Sequence, residues 1–405
     1  MQGSPGETCV STAPGATPAK KAPLWVMTAF SFVAAATVVG SSSAATPLYR
    51  LYQESMHLTP LMITLVFAVY AISLLAALLT VGGLSDFVGR RPVILGGLLV
   101  NAVAMMLFSY AGDVGDLILA RAVQGLCVGA STTTLGAAIL DSDRQRGPLL
   151  NSVSAFIGLM VGALGAGLLV TFAPDPFHLV YEVLFAITAV LIVLLWFMPE
   201  TVSRKPGALA SLRPNVRVPV QSRAALLLVA PATIASWALG GFYLSLMPTI
   251  VAVTMGVSAP WVGGVVVAVL MLTGAVSVGV LRHLPARRLL VIGTISLSLG
   301  VAVTLLGIQQ HNTATLFLGT TIAGIGFGSS FAGVLSTLLP TADAHQRAGL
   351  LATFYVISYL AFSLPALAAG VSVPFVGLAV VAYVYGAVVI VLAITSLLAA
   401  LRSKA

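Results

Sequence analysis

Gly82-Gly83-Leu84-Ser85-Asp86-Phe87-Val88-Gly89-Arg90-Arg91-Pro92 joins two apolar runs, 61–81 and 93–111, and its chemistry is that of a hairpin between membrane helices. Gly82 and Gly83 carry no Cβ and let neighbouring helices come close. Asp86 stands where one helix ends, within reach of a helix N-terminus or an arginine. Gly89 permits a tight reversal, and Pro92 suits the first turn of the next helix. Arg90 and Arg91 place two cations at the water boundary.

Outward from this loop, the chain alternates long apolar runs with short polar connections. Of 405 residues, 59% are hydrophobic and only 7% charged, and the mean hydropathy is +1.07. A soluble globular protein carries roughly 25% charged residues. So few charges cannot keep a surface wet, whereas lipid tails accept apolar side chains facing outward. A bilayer core of about 30 Å needs about 20 apolar residues in helical form. Twelve such spans are expected, at 24–45, 61–81, 93–111, 116–139, 149–172, 179–198, 224–249, 259–281, 288–308, 314–338, 348–370 and 375–401. Pro and Gly inside them are tolerated because neighbouring helices satisfy the freed backbone groups.

Charge gives the orientation. Of the 19 basic residues, all but Arg50 and Arg121 fall at the termini or in alternate connections. Arg50 lies in the other set of connections, with Glu54, Asp113, Asp116 and Asp175. Basic loops stay cytoplasmic. Both termini are therefore expected in the cytoplasm, as an even number of spans requires, for a multi-pass protein of a bacterial inner membrane. Residues 1–22, rich in Gly, Pro, Ser, Thr and Ala, read as a disordered cytoplasmic tail. The apolar run after Lys20 and Lys21, ending at Ser43-Ala44-Ala45, is read as a retained first span; cleavage as a signal peptide would leave an odd count.

The longest internal connection, 199–223, holds four prolines and five basic residues and divides the spans six and six. It suits a cytoplasmic linker near anionic headgroups, or a simple tether. The expected organisation is all-α: an N-terminal six-helix bundle over 23–198, the linker, a C-terminal six-helix bundle over 224–401, and a cytoplasmic tail over 402–405. The halves echo each other. Gly82, Arg90, Arg91 and Gly96 recur as Gly279, Arg287, Arg288 and Gly293, and Gly125 and Gly129 recur as Gly324 and Gly328. Internal repeats of this kind mark transporters that rock one half against the other around a midplane site.

The loop at Gly82–Pro92 resembles the signature of the major facilitator superfamily, G-x-L-x-D-x-x-G-R-R, and with the span count and central linker the resemblance covers nearly the whole chain. It implies a secondary transporter in which this loop latches the halves together on the cytoplasmic side. Gly82, Gly83, Asp86, Gly89, Arg90 and Arg91 are the latch residues it implies; on the bare sequence, Arg90 and Arg91 also serve simply to set topology. Arg121-Ala122-Val123-Gln124-Gly125 resembles the family's R-x-x-Q-G motif, whose arginine is tied to proton coupling or cavity charge. At bilayer depth such a cation must face the interior or water, or snorkel to the interface near Asp116. The run Gly158–Gly167 resembles the glycine motif of drug–proton antiporters, with Ala163 where a proline is usual; small residues also pack membrane helices whatever the function. Trp196-Phe197-Met198-Pro199-Glu200-Thr201 is similar to the family's Pro-Glu-Thr closure of the first half.

The resemblance assigns spans one, four, seven and ten to the cavity. There the chain offers Ser42, Thr46, Arg121, Gln124, Trp237, Tyr243 and Phe327, to which span eleven adds Tyr355 and Tyr359. Each aromatic is equally suited to plain packing. An apolar cavity with one cation suits amphipathic, neutral or anionic solutes better than cationic ones. A buried carboxylate is the usual proton carrier, but no acid lies deep in a span. Asp86 coupled to Arg121, Glu182, or no proton at all remain as the options.

The five histidines fall in loops or span ends, and the two cysteines suggest no disulfide framework. No metal, cofactor or nucleotide site is expected, no enzymatic constellation is visible, and the scattered basic residues form no nucleic-acid stripe. The expected partners are a small-molecule substrate, protons and membrane lipid, for a chain working as a monomer as the family usually does. Proton-linked efflux of an amphipathic or drug-like compound is the first reading. An uptake permease or exchanger for a sugar or organic anion is the second, and a receptor on the same scaffold the third.

Overall fold

The computed structural model describes residues 23–254, 256, 259–343 and 346–402. The expected N-terminal tail, with Cys9, Lys20 and Lys21, lies outside them, as do His345 and Lys404. The first half is α1 (Leu24–Ala44), α2 (Tyr49–Met56), α3 (Pro60–Val81), α4 (Ser85–Val88), α5 (Arg90–Ser109), α6 (Val114–Ser142), α7 (Gly147–Phe172) and α8 (Pro176–Leu195). A short α9 (Ala208–Ser211) lies in the linker. The second half is α10 (Arg223–Ser245), α11 (Met247–Thr254), α12 (Pro260–Leu281), α13 (Ala286–Gln309), α14 (Thr313–Leu338), α15 (Arg347–Val376) and α16 (Leu378–Arg402). Among the described residues, twelve helices are long and apolar enough to cross a membrane. They form the two six-helix bundles expected.

Local chemistry sets the helix ends. Thr59, Asp113 and Asn312 each accept a hydrogen bond from a backbone N–H two or three residues on, which satisfies one of the donors a helix start leaves free. Asp175 does the same for α8, and its hydrogen bond with His178 holds its carboxyl below the usual carboxylate range. Two of the expected spans break where a proline follows. The first stops at Ala44, before Pro47, and resumes as α2; the seventh stops at Ser245, before Pro248, and resumes as α11. The eleventh instead runs through Pro365 and Pro374 to Val376, beyond the expected end at 370.

The sequence echo is a packing echo. A Cβ at Gly125 would meet the Tyr70 carbonyl oxygen at 2.4 Å, and one at Gly129 the Leu74 carbonyl oxygen at 2.2 Å, so α6 lies backbone to backbone on α3. Their counterparts Gly324 and Gly328 seat α14 on α12, at 2.6 Å from the Leu270 and 2.2 Å from the Gly274 carbonyl oxygen. A third seam, α1 on α7, runs through Gly40, Gly158 and Gly162. Gly158 and Gly162 of the fifth span therefore pack helices in this fold.

The bundles meet along α7 with α12 and α3 with α15. Phe67 stacks on Phe362 with ring centroids 4.8 Å apart, and Phe156 meets Phe327 edge-on at 5.6 Å. The two hydrogen bonds found between the bundles among the described residues both lie at the end opposite the arginine-rich loops. Thr46 Oγ1 donates to the Leu244 carbonyl at 3.0 Å, and the Trp261 N–H donates to Thr171 Oγ1 at 3.1 Å. At the basic end the linker straps the halves instead: the Lys205 N–H donates to the Phe87 carbonyl and the Arg217 N–H to the Gly349 carbonyl.

Candidate functional site

Between the bundles lies a cavity of about 120 Å³. Its wall takes Ser42 from α1, Thr46 from the turn after it, Phe67 and Tyr70 from α3, Arg121 and Thr132 from α6, Leu159 from α7, Trp237 and Leu244 from α10, and Tyr359 and Phe362 from α15. Five expected residues, Ser42, Thr46, Arg121, Trp237 and Tyr359, are thus brought together. The tenth span contributes nothing to this wall, whereas the second, fifth and eleventh do. Phe327 packs on Phe156, Tyr355 on Phe354, and the Tyr243 hydroxyl lies 3.0 Å from Thr320 Oγ1 inside the second bundle. These three lie outside the cavity wall and pack against other side chains.

Arg121 is 1% exposed. It stands seven residues into α6, about 10 Å below the helix start. It does not snorkel to the interface: its Nη1 donates to the Ser42 carbonyl at 2.9 Å and to Gln124 Oε1 at 2.6 Å, and its Nη2 to the Tyr49 hydroxyl. Gln124 is held in turn, donating to the Ser41 carbonyl at 3.0 Å. Ser41 and Ser42 are among the last residues of α1, whose terminal carbonyls lack intrahelical partners and carry the negative end of the helix dipole. The break before Pro47 therefore supplies the acceptors that let an arginine sit here. Three rings enclose the cation, Tyr49 and Tyr70 at 5.4 Å and Phe108 at 5.5 Å from centroid to Cζ. Tyr52 and Tyr181, joined hydroxyl to hydroxyl at 3.0 Å, back this cage. The sequence reading missed the cage; the tyrosines at 49 and 52, one helical turn apart beside Pro47, were its visible trace.

The second cluster is at the basic end. Arg90, only 6% exposed, donates to Asp86 at 2.6 Å, to Ser85 at 2.7 Å and to Asp141 at 3.0 Å. Gly89 adopts φ +100°, and a Cβ there would fall 2.7 Å from Glu200 Oε2, so this turn requires glycine on both counts. Glu200 accepts the Arg90 N–H at 2.8 Å and the Arg91 N–H at 3.0 Å, capping α5 from 110 residues away. The Pro-Glu-Thr segment thus anchors the loop to the end of α8. Arg91 reaches only the exposed Trp196 carbonyl. Gly82 packs on the Leu78 carbonyl, whereas Gly83 faces open space. Among the described residues, the loop's hydrogen bonds all run to its own bundle or to the linker.

Glu200→Ala is expected to lower the stability of the detergent-solubilised protein by about 1–2 kcal/mol, because two helix-start N–H donors lose a charged acceptor. Glu200→Gln, which keeps one acceptor oxygen, loses less, and thermal melting of the three proteins checks the order.

The two clusters do not meet. Asp141, which binds Arg90, lies twenty residues along α6 from Arg121, about 30 Å. Coupling of Asp86 to Arg121 by contact is therefore ruled out in this conformation. Glu182 is exposed on α8 and takes no part in the cavity wall.

A model of the Major Facilitator Superfamily matches residues 28–366. The chain is 29% identical over 142 residues to an uncharacterized transporter of Rickettsia bellii, covering 33% of this chain and 34% of that protein. It is 31% identical over 104 residues to the multidrug resistance protein MdtL of Citrobacter koseri, covering 24% and 27%. These alignments span about a third or less of either relative. The crystal structure of the human organic anion transporter MFSD10 (TETRAN) superimposes with a TM-score of 0.67 at 16% identity, over 92% of this chain and 99% of that one. The match runs from the first helix into α15, through the Gly82–Pro92 loop and Arg121, and the chain belongs to the major facilitator superfamily.

Proposed function

We propose that this transporter exports amphipathic, drug-like compounds from the cytoplasm by alternating access around the cavity at Arg121. The observation that carries the reading is the cavity itself, walled by Phe67, Trp237, Tyr359 and Phe362, carrying one cation, with the inter-bundle hydrogen bonds among the described residues at the end away from the basic loops. With basic loops in the cytoplasm, those bonds are extracytoplasmic and the site loads from within. The multidrug resistance relatives support the direction. The proton linkage implied by the resemblance would fall to Asp86 and Asp141, the carboxylates that hold Arg90.

Cells producing the protein, loaded with a panel of cationic, neutral and anionic fluorescent probes, are expected to retain several-fold less of at least one probe than cells without it. A protonophore that stops this loss supports proton linkage. Faster accumulation instead of loss overturns export and favours the uptake or exchange of an organic anion, a reading that Arg121 also supports.

A further inference from the structure

A guanidinium has five N–H donors. At Arg121, Ser42 and Gln124 take up the two Nη1 hydrogens and Tyr49 one of the two on Nη2, which leaves the second Nη2 hydrogen spare, and the buried Nε has no acceptor. None of the ion pairs among the described residues includes Arg121. The protein thus keeps a full positive charge at the cavity wall, steadied by carbonyl dipoles and ring faces but not cancelled. An unpaired buried cation is costly unless an anion completes it. Apart from Ser42, Thr46 and Thr132 the rest of the wall is apolar or aromatic, with the Trp237 and Tyr359 rings 5.0 Å apart.

The geometry points to a monocarboxylate with a flat aromatic body as the substrate class: the carboxylate on the spare donors of Arg121, the ring against Trp237 and Tyr359. This rests on the transporter reading above and narrows it. A cationic analogue of the same shape meets like charge, and a neutral ester can accept a hydrogen bond but brings no counter-charge. Chloride shares the anionic chemistry but has no ring for the aromatic wall, so the two sources separate by experiment.

Three probes of one skeleton decide it: 2-naphthoate, its methyl ester, and 2-naphthylmethylammonium, titrated into the purified protein in chloride and in sulfate salts with melting temperature and tryptophan fluorescence as readouts. Naphthoate is expected to bind about tenfold or more tightly than the ester or the amine. Arg121→Gln should bring that ratio to about one, and Arg121→Lys should keep part of it. Should Arg121→Gln not fold, the wild-type ratio decides. Equal binding of naphthoate and ester, binding of none of the three, or an Arg121-dependent response to chloride alone with no naphthoate preference would each overturn the carboxylate assignment. The export reading is tested separately by probe retention in cells and survives all three outcomes.

Discussion

Gly129→Val is expected to leave little or no folded protein. A Cβ at 129 would lie 2.2 Å from the Leu74 carbonyl oxygen, 2.9 Å from the Ala77 Cβ and 3.0 Å from the Leu78 nitrogen. Two of these atoms are helix backbone, and no flexible side-chain end can swing aside. The helices α3 and α6 must separate, and with them goes the placement of Arg121 and Tyr70. Overpacking of this kind costs typically 1–3 kcal/mol and occasionally more. A clash with backbone along a whole seam belongs at the top of that range. Gly328→Val should behave alike, since its Cβ would fall 2.2 Å from the Gly274 carbonyl oxygen. Gly165→Ala is the control: nothing lies within 4 Å of the added methyl, and higher helix propensity should leave stability unchanged or raised by up to about 1 kcal/mol. Size-exclusion profiles and melting curves of the four proteins check the set. A monodisperse, normally melting Gly129→Val protein would refute the packing account.

Arg90→Ala is expected to reduce transport at least about tenfold while the protein remains in the membrane. Arg90 holds three acceptors at once, and Asp141 is the one that depends on it most, with a side chain 33% exposed against 61% for Asp86. Without the guanidinium, Asp141 keeps only the Thr201 hydroxyl at 3.3 Å. Arg90→Lys should recover little, because an ammonium cannot span Ser85, Asp86 and Asp141 with a planar fork. Arg91→Ala, which loses one bond to an exposed carbonyl, should transport nearly normally. Initial rates in vesicles at matched protein levels separate the three, and equal rates for Arg90→Ala and Arg91→Ala would show that the buried cluster does not control the cycle.

The fold was legible because its cause is coarse. Runs of apolar residues about 20 long have one stable environment, and each lies within a few residues of an observed helix. The exceptions have local causes: the seventh span stops at Ser245, before Pro248 and short of its expected end, while Pro365 and Pro374 did not cut the eleventh. A proline ends a membrane helix only where the freed groups find other partners, and those partners come from distant helices. The loop at Gly82–Pro92 was legible as a motif, but its anchors were not. Asp141 and Glu200 lie 51 and 110 residues from Arg90, and no local spacing brings them to it.

The cavity was half legible for the same reason. Arg121 stood out as a charge in an apolar span, and Trp237 and Tyr359 as aromatics on spans expected to face inward. Phe67, Tyr70, Leu159 and Phe362 sit in runs whose apolar residues surround the helix, so nothing in the pattern distinguished a cavity face from a lipid face. Tyr243 and Tyr355 failed for the converse reason: an aromatic on an inward span is as easily buried in its own bundle.

The uncancelled charge of Arg121 also makes the empty protein sensitive to membrane voltage. A full elementary charge crossing 100 mV is worth about 2.3 kcal/mol. If the first bundle's rocking shifts the guanidinium by a tenth of the field, an inside-negative potential biases the unloaded carrier by about 0.2 kcal/mol toward the form that brings the cation inward. A bound carboxylate cancels that bias, so loaded and unloaded carriers feel the field differently.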